Sequence, residues 1–376
     1  MTLGMFESQL VNPERYGLFT LLYNSEGPVG EMITEYAEKE AKHQPHIGET
    51  PVQVANEVIA NGKAAVKAIE KASAGVNKDK AEFKRLKNDM YCYNALANFY
   101  AEKVRAALLV LKYKYTNKVS DLQEAIPHLQ KSVDYYKQLT DLTKNTYLYA
   151  NSMQTSQRKI PIGGNDGKNK TWAELLPQYE HELQVFSHNV DSLKKHEGEP
   201  AAEVKINTLK PVAVQLKNGS TFYKVAVGQK IYSDTSLTIT DFDPVLRDLK
   251  GVTYAKAAQV TQGTNISFTC SKPVKFIVGF FSKKDPRFLP EPTLEVDASA
   301  NDYGQAEIKI ANGLLVSGLG AVNLHTYSFP AGTHTLTLGK GMCVLLGFID
   351  GNTDVPVYDA GLNKAGSNRK LDALFN

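Results

Sequence analysis

The residues best equipped for chemistry lie between Asn145 and Glu182, in the run NTYLYANSMQTSQRKIPIGGNDGKNKTWAELLPQYEHE. Arg158 and Lys159 stand side by side ahead of Ile160-Pro161. A Gly/Asn/Asp segment follows, and the stretch closes on Thr171 and Trp172, the only tryptophan of the chain. Two adjacent cations suit a carboxylate or a set of hydroxyls, and an indole stacks on the C–H face of a sugar ring. Glu174 and Glu182 are the carboxylates nearest to them, weak candidates for an acid or a base. Each residue also has a plainer reading. The cations serve as salt-bridge partners or as charges at a helix C-terminus, and Trp172 serves as a core anchor on the first turn of a helix. No complete catalytic motif accompanies the run.

A second set sits at Ser282 to Pro290, SKKDPRFLP, directly after a fully apolar stretch. Asp285, Arg287 and Phe288 bring opposite charges and an aromatic ring to one edge. Sugar recognition needs that mixture, hydrogen-bonding groups for the hydroxyls and an apolar ring for the pyranose face, although ordinary loops contain it too. The remaining polar clusters are weaker. His43 and His46 are three apart, but Pro45 between them breaks the helical turn that would align them, so a solvated linker fits better than a metal site. His181 and His188 are seven apart, not the four of a zinc protease helix, and fall on a solvated face. Asp241, Asp243 and Asp248 surround Pro244 and Arg247, which favours a turn with local ion pairing over calcium. No metal and no cofactor is expected.

Local chemistry dictates the elements that hold these residues. Pro161 drives Ile160 out of the helical region and Gly163-Gly164 open the backbone further, so the helix before them ends near Arg158. Thr171 is an N-cap whose hydroxyl accepts an early unpaired N–H, with Glu174 completing a capping box. Upstream, Thr50-Pro51 opens a helix as cap and first position. Phe83, Leu86, Met90, Tyr93, Ala97, Tyr100, Val104, Ala107 and Leu111 then recur at three- and four-residue spacing, which predicts one buried helical stripe with Tyr93 and Tyr100 in the core. The same spacing recurs at Leu122 to Tyr136 and at Leu176 to Leu193. Residues 31–198 therefore read as an antiparallel bundle of about five helices after an irregular segment, 1–30.

Around His196 to Pro200 the helical period is lost. From 199 to 376 short β-branched and aromatic runs alternate with Gly, Pro, Asn and Asp, as in Val274 to Phe281, Ala306 to Ile310, Val322 to Phe329 and Met342 to Ile349. That pattern predicts an antiparallel β-sandwich of galactose-binding or jelly-roll type. The fold class is thus multidomain α and β.

Composition narrows the partners. Lys and Arg number 43 against 40 Asp and Glu, a formal charge of +3, and this balance leaves no basic stripe for nucleic acid. No apolar run reaches the roughly 20 residues of a membrane span, and residues 1–17 carry none of the features of a secretory signal. Three widely spaced cysteines, Cys92, Cys270 and Cys343, predict no disulfide framework; Cys270 and Cys343 can face each other across a sheet, but buried free thiols fit better.

The bundle phrases Tyr147-Leu148-Tyr149, Arg158-Lys159-Ile160-Pro161 and Trp172-Ala173-Glu174-Leu175-Leu176-Pro177 precede three β phrases. These are Phe276 to Phe281, Phe329-Pro330-Ala331-Gly332-Thr333-His334-Thr335-Leu336 and Val344 to Phe348. Together they resemble the C-terminal modules of large multidomain bacterial glycoside hydrolases, with the α-glucuronidase type as nearest analogue. The resemblance implies a glycan or oligosaccharide partner, a catalytic barrel absent from this chain, and a periplasmic or extracellular setting. The expected function is an ancillary glycan-binding or structural module, with Arg158, Lys159, Trp172, Asp285, Arg287 and Phe288 as ligand contacts. Two alternatives stand beside it: a glycosidase or polysaccharide lyase acting through the 145–182 region, and a structural module that forms homo-oligomers.

Overall fold

The helices form where the apolar spacing and the caps predict them. The computed structural model describes residues 30–147, 170–197, 207–217, 220–283, 285–292, 302–362, 366–367 and 369–375. Within these, α1 (Ile33–Ala41), α2 (Pro51–Ser73), α3 (Lys80–Thr116), α4 (Val119–Thr143) and α5 (Trp172–Lys195) make the helical unit. Thr50 caps α2 by accepting from Gln53 N at 3.2 Å. At the other end of α3, Asn117 stops the helix in the left-handed conformation, φ +54°, with its N–H on Tyr113 O.

The long helix α3 departs from the predicted stripe. Its second half is enclosed almost all round, with Phe99, Tyr100, Ala101, Val104, Ala107 and Leu111 buried. In its first half the buried face runs through Cys92 and Ala95, while Leu86 and Tyr93 are 46% and 61% exposed. The reason is the side from which α4 approaches, marked by Asn88 Nδ2 donating to Leu142 O at 3.0 Å. The predicted stripe lies on nearly the opposite side of the helix from that contact, because residues two apart differ by about 200° around the axis. Tyr93 is a surface residue.

His43 and His46 also differ from a plain solvated linker. His46 stacks on Tyr36, ring centroids 4.3 Å apart, and its two nitrogens reach Glu31 and Glu40 at 2.8 Å each. The His46 bonds tie the segment after α1 back onto the helix.

The chain divides into two units, one of residues 1–200 with 370–376 and the other of 201–369. The expected boundary near 198 falls among residues outside the described ones. The final residues, assigned from the sequence to the β region, pack in the helical unit: Phe375 stacks on Phe186 at 4.7 Å and Asn189 Nδ2 donates to Leu374 O.

In the second unit the strands are β1 (Gln215–Leu216), β2 (Phe222–Lys224), β3 (Ile239–Phe242), β4 (Lys250–Val252), β5 (Thr264–Cys270), β6 (Val274–Phe281), β7 (Ile310–Val316), β8 (Gly320–Phe329), β9 (Gly332–Leu338), β10 (Val344–Asp350) and β11 (Tyr358–Asp359). A six-stranded sheet runs β10-β6-β8-β7-β11, with β3 also paired to β7; β1-β5-β9 form a second sheet and β2-β4 a third. All pairs are antiparallel except β11 with β7.

Alternation sorts β6 between two cores. Val274, Phe276, Val278 and Phe280 meet Ile266, Phe268 and Leu336 of the three-stranded sheet. Ile277 and Phe281 share the opposite core with Tyr223, Val225, Leu246 and Val344. Burial on both faces explains the nearly unbroken apolar run of this strand. Each buried Phe contributes about 1.5–3 kcal/mol by leaving water, and Phe268, Phe276 and Phe348 interlock with centroids 4.2–6.2 Å apart.

The strand expected at Ala306 to Ile310 lies further on, at β7. Its Asn312, φ +48°, and Gly313 form an irregularity inside the strand instead of the turn that an Asn-Gly pair suggests, and the register with β8 shifts there.

Candidate functional site

In the helical unit, Thr171 Oγ1 accepts from Glu174 N at 3.2 Å, and Glu174 Oε2 accepts from Thr171 N at 2.7 Å. The capping box read from the sequence is formed, and it occupies the Glu174 carboxylate. Trp172 is partly buried against the aromatic core, 6.1 Å from the ring of Tyr136. Arg158 and Lys159, with the predicted helix end at Arg158, lie outside the described residues.

Glu182 points inward from α5. Its Oε2 lies 2.8 Å from Lys103 Nζ of α3, and both side chains are buried, 10% and 3% exposed. Lys103 Nζ also sits over the rings of Tyr179, at 4.8 Å, and Phe99, at 5.6 Å. The other carboxylate oxygen, Oε1, has no hydrogen-bond partner among the described residues. Glu174 and Glu182 are separated by about 12 Å of helix axis, beyond the ~5–9.5 Å that separates a glycosidase pair. On one rigid helix they do not form such a pair. The unit therefore uses Glu174 for capping and Glu182 for a buried ion pair.

In the β unit the predicted edge is a rigid turn. Phe288 N donates to Asp285 O at 2.9 Å, closing Asp285-Pro286-Arg287-Phe288, and Arg287 N donates to Asp285 Oδ1. Arg287 then folds back, Nε to Oδ1 at 2.9 Å and Nη2 to Oδ2 at 2.6 Å. The Arg287 guanidinium and backbone N–H hold the Asp285 carboxyl down at about 2. Phe288 is the turn's anchor. It is 6% exposed and stacks on Phe281 at 4.4 Å, so its ring is unavailable to a sugar.

A neighbouring turn locks this one. Met342 N donates to Arg287 O at 2.8 Å and Leu289 N to Met342 O at 3.1 Å. Gly341, φ +136°, lies so close that a Cβ there would strike the Leu289 backbone. Lys340, next to it, is exposed, as is Lys283, two residues before the first turn. Sequence reasoning missed Lys340 because it lies more than 50 residues from Arg287 in the chain; the Gly339-Lys340-Gly341 turn was the available signal.

The weaker clusters behave as turns and surfaces. Asp243 accepts from Val245 N, Asp248 pairs with Lys210 at 2.5 Å, and Asp241 accepts from Phe242 N. His181 and His188 are exposed. Cys92, Cys270 and Cys343 are free and buried. Among the described residues no three His, Cys, Asp or Glu gather as a metal site, and no helix is long and apolar enough to cross a membrane.

A helical unit followed by antiparallel sheets is the architecture the sequence led us to expect of glycoside hydrolase modules. Comparison with solved structures gives that expectation a specific relative. The chain is similar over 100% of its length, at 42% identity and a TM-score of 0.77, to a GH138 enzyme targeting pectin rhamnogalacturonan II. It spans 42% of the length of that enzyme. The relationship is thus to a glycoside hydrolase, and the α-glucuronidase analogy gains no support from it. No family model matches the chain, and no curated protein matches it.

Proposed function

We propose that this chain works as part of a glycoside hydrolase that cleaves a pectin-type, uronic acid-bearing polysaccharide. The observation that carries this reading is the 42% identity maintained over the whole chain to an enzyme targeting pectin rhamnogalacturonan II. Identity at that level, spread over both units, favours a shared working context over a shared fold alone. A polysaccharide of this size is met outside the cytoplasm, so the reading includes a periplasmic or extracellular setting.

A second reading, the ancillary glycan-binding module, is favoured by a separate observation. Glu174 and Glu182 both have structural partners, and the chain corresponds to less than half of its neighbour. In that case the described units grip the polysaccharide while acids elsewhere break the bond. Arg158, Lys159, Trp172 and Arg287, held by Asp285 on its turn, are the proposed contacts in either reading.

Incubating the purified chain with rhamnogalacturonan II and analysing products by mass spectrometry separates the two. Released uronic acid supports the first reading, with the cleaving acids inside this chain. Intact polysaccharide that nevertheless binds the chain supports the ancillary role, and absence of both activity and binding refutes both readings.

A further inference from the structure

Arg287 is an arginine whose side chain is already ordered yet mostly open to solvent. Its Nε and one Nη2 hydrogen are held by Asp285, while the side chain stays 65% exposed. The Nη1 edge and the second Nη2 hydrogen therefore face away from the pair, in a plane fixed by the turn. That edge matches the two oxygens of a planar carboxylate. Ordering the long side chain usually opposes binding, and here the turn has already done it.

The charge around this fork is unbalanced. Lys283 lies two residues before the turn, close enough for its charge to act on Asp285. Lys340 lies on the turn that Gly341 and Met342 press against Arg287 and Leu289. Lys283 and Lys340 have no ion-pair partner among the described residues, whereas lysines such as Lys39, Lys87, Lys103 and Lys272 do. With Asp285 as the only acid on the turn, three cations leave a local surplus of positive charge. A neutral sugar draws no benefit from such a surplus. A carboxylated one does.

We propose that the Lys283–Arg287–Lys340 edge is a uronate-binding subsite, in which Arg287 reads a sugar carboxylate bidentately and the two lysines attract the polyanion. This rests on the reading of the chain as part of a pectin-acting hydrolase, and it adds where and by what group the acidic polymer is recognised. The Asp285 carboxylate orients the fork and does not contact the ligand. Phe288 fixes the turn from below.

The test uses the 376-residue chain and two probes, a tetragalacturonate and its methyl ester, measured by isothermal titration calorimetry. The acid form binds and the ester binds about tenfold or more weakly, because a charge-assisted pair is lost. Arg287→Gln reduces affinity for the acid by about tenfold or more with little effect on the ester. Lys283→Ala with Lys340→Ala weakens the acid form and flattens its salt dependence. Arg287→Lys, which retains charge without the fork, fails to restore wild-type affinity, and the CD spectrum of each variant verifies folding. Equal binding of acid and ester, or acid binding insensitive to Arg287, overturns the subsite while leaving the pectin reading intact. Absence of binding to both probes, with rhamnogalacturonan II itself still bound, likewise overturns the subsite. If rhamnogalacturonan II does not bind either, both proposals fall.

Discussion

Removing Glu182 tests whether this acid is a structural partner or a reactive group. In Glu182→Leu the ammonium of Lys103, 3% exposed in its side chain, loses its only carboxylate among the described residues and retains only the rings of Tyr179 and Phe99. Breaking a buried pair from one side costs about 3–5 kcal/mol because an uncompensated charge stays behind. With an m-value of about 2 kcal/mol/M, the urea midpoint falls by about 2 M. Lys103→Met strands the carboxylate and costs a similar amount. The double variant Lys103→Met/Glu182→Leu leaves no charge behind, so it stays within about 1 kcal/mol of the parent. Trp172 makes the assay specific: as the only tryptophan, on α5 of the helical unit, its fluorescence reports that unit alone. Single variants that each cost less than about 1 kcal/mol, or a double variant carrying the sum of both losses, would refute the reasoning.

Three further outcomes follow from local geometry. Gly347 has φ +88°, and a Cβ there would run into the Lys250 carbonyl, so Gly347→Ala lowers the stability of the β unit by at least about 1–3 kcal/mol; hydrogen exchange along β10 reads the loss. Thr171→Ala removes the hydroxyl that accepts from Glu174 N and costs the helical unit about 1 kcal/mol, measured by urea unfolding at 222 nm. Glu40 first and Glu31 second raise the His46 pKa above 6.5, so its stabilisation is full below 6.5 and is lost as pH rises through the folded value. Burial opposes ionisation of Glu31, yet hydrogen bonds from Lys39, Ile47 N and His46 bring it to about 2, so its stabilisation is full above 4.5 and lost as pH falls toward 2. The segment around α1 is thus held best between pH 4.5 and 6.5, and an NMR titration of His46 with a midpoint at or below 6.5 would contradict this.

What the sequence discloses depends on how far a contact reaches along the chain. The Thr171–Glu174 box and the Thr50-Pro51 start are three-residue events, and both form as read. The Asp285–Arg287 pair is equally local. Glu182, by contrast, finds its partner 79 residues away, and nothing in its own neighbourhood signals Lys103. Periodicity identified α3 as a helix but placed Tyr93 in the core, because spacing gives the faces of a helix and only the packing of α4 decides which is covered. Asn312-Gly313 had the chemistry of a hairpin turn, and the pairing of β7 with β3 and β8 absorbed it as a strand irregularity.

The proposed role in a pectin-acting glycoside hydrolase requires that the protein bind an acidic pectic polysaccharide. Electrophoresis of the purified protein through gels containing rhamnogalacturonan II, fully esterified pectin or a neutral glucan tests it directly. Strong retardation by rhamnogalacturonan II is expected, with weaker retardation by the esterified polymer and none by the glucan. Equal mobility in all three gels would contradict it.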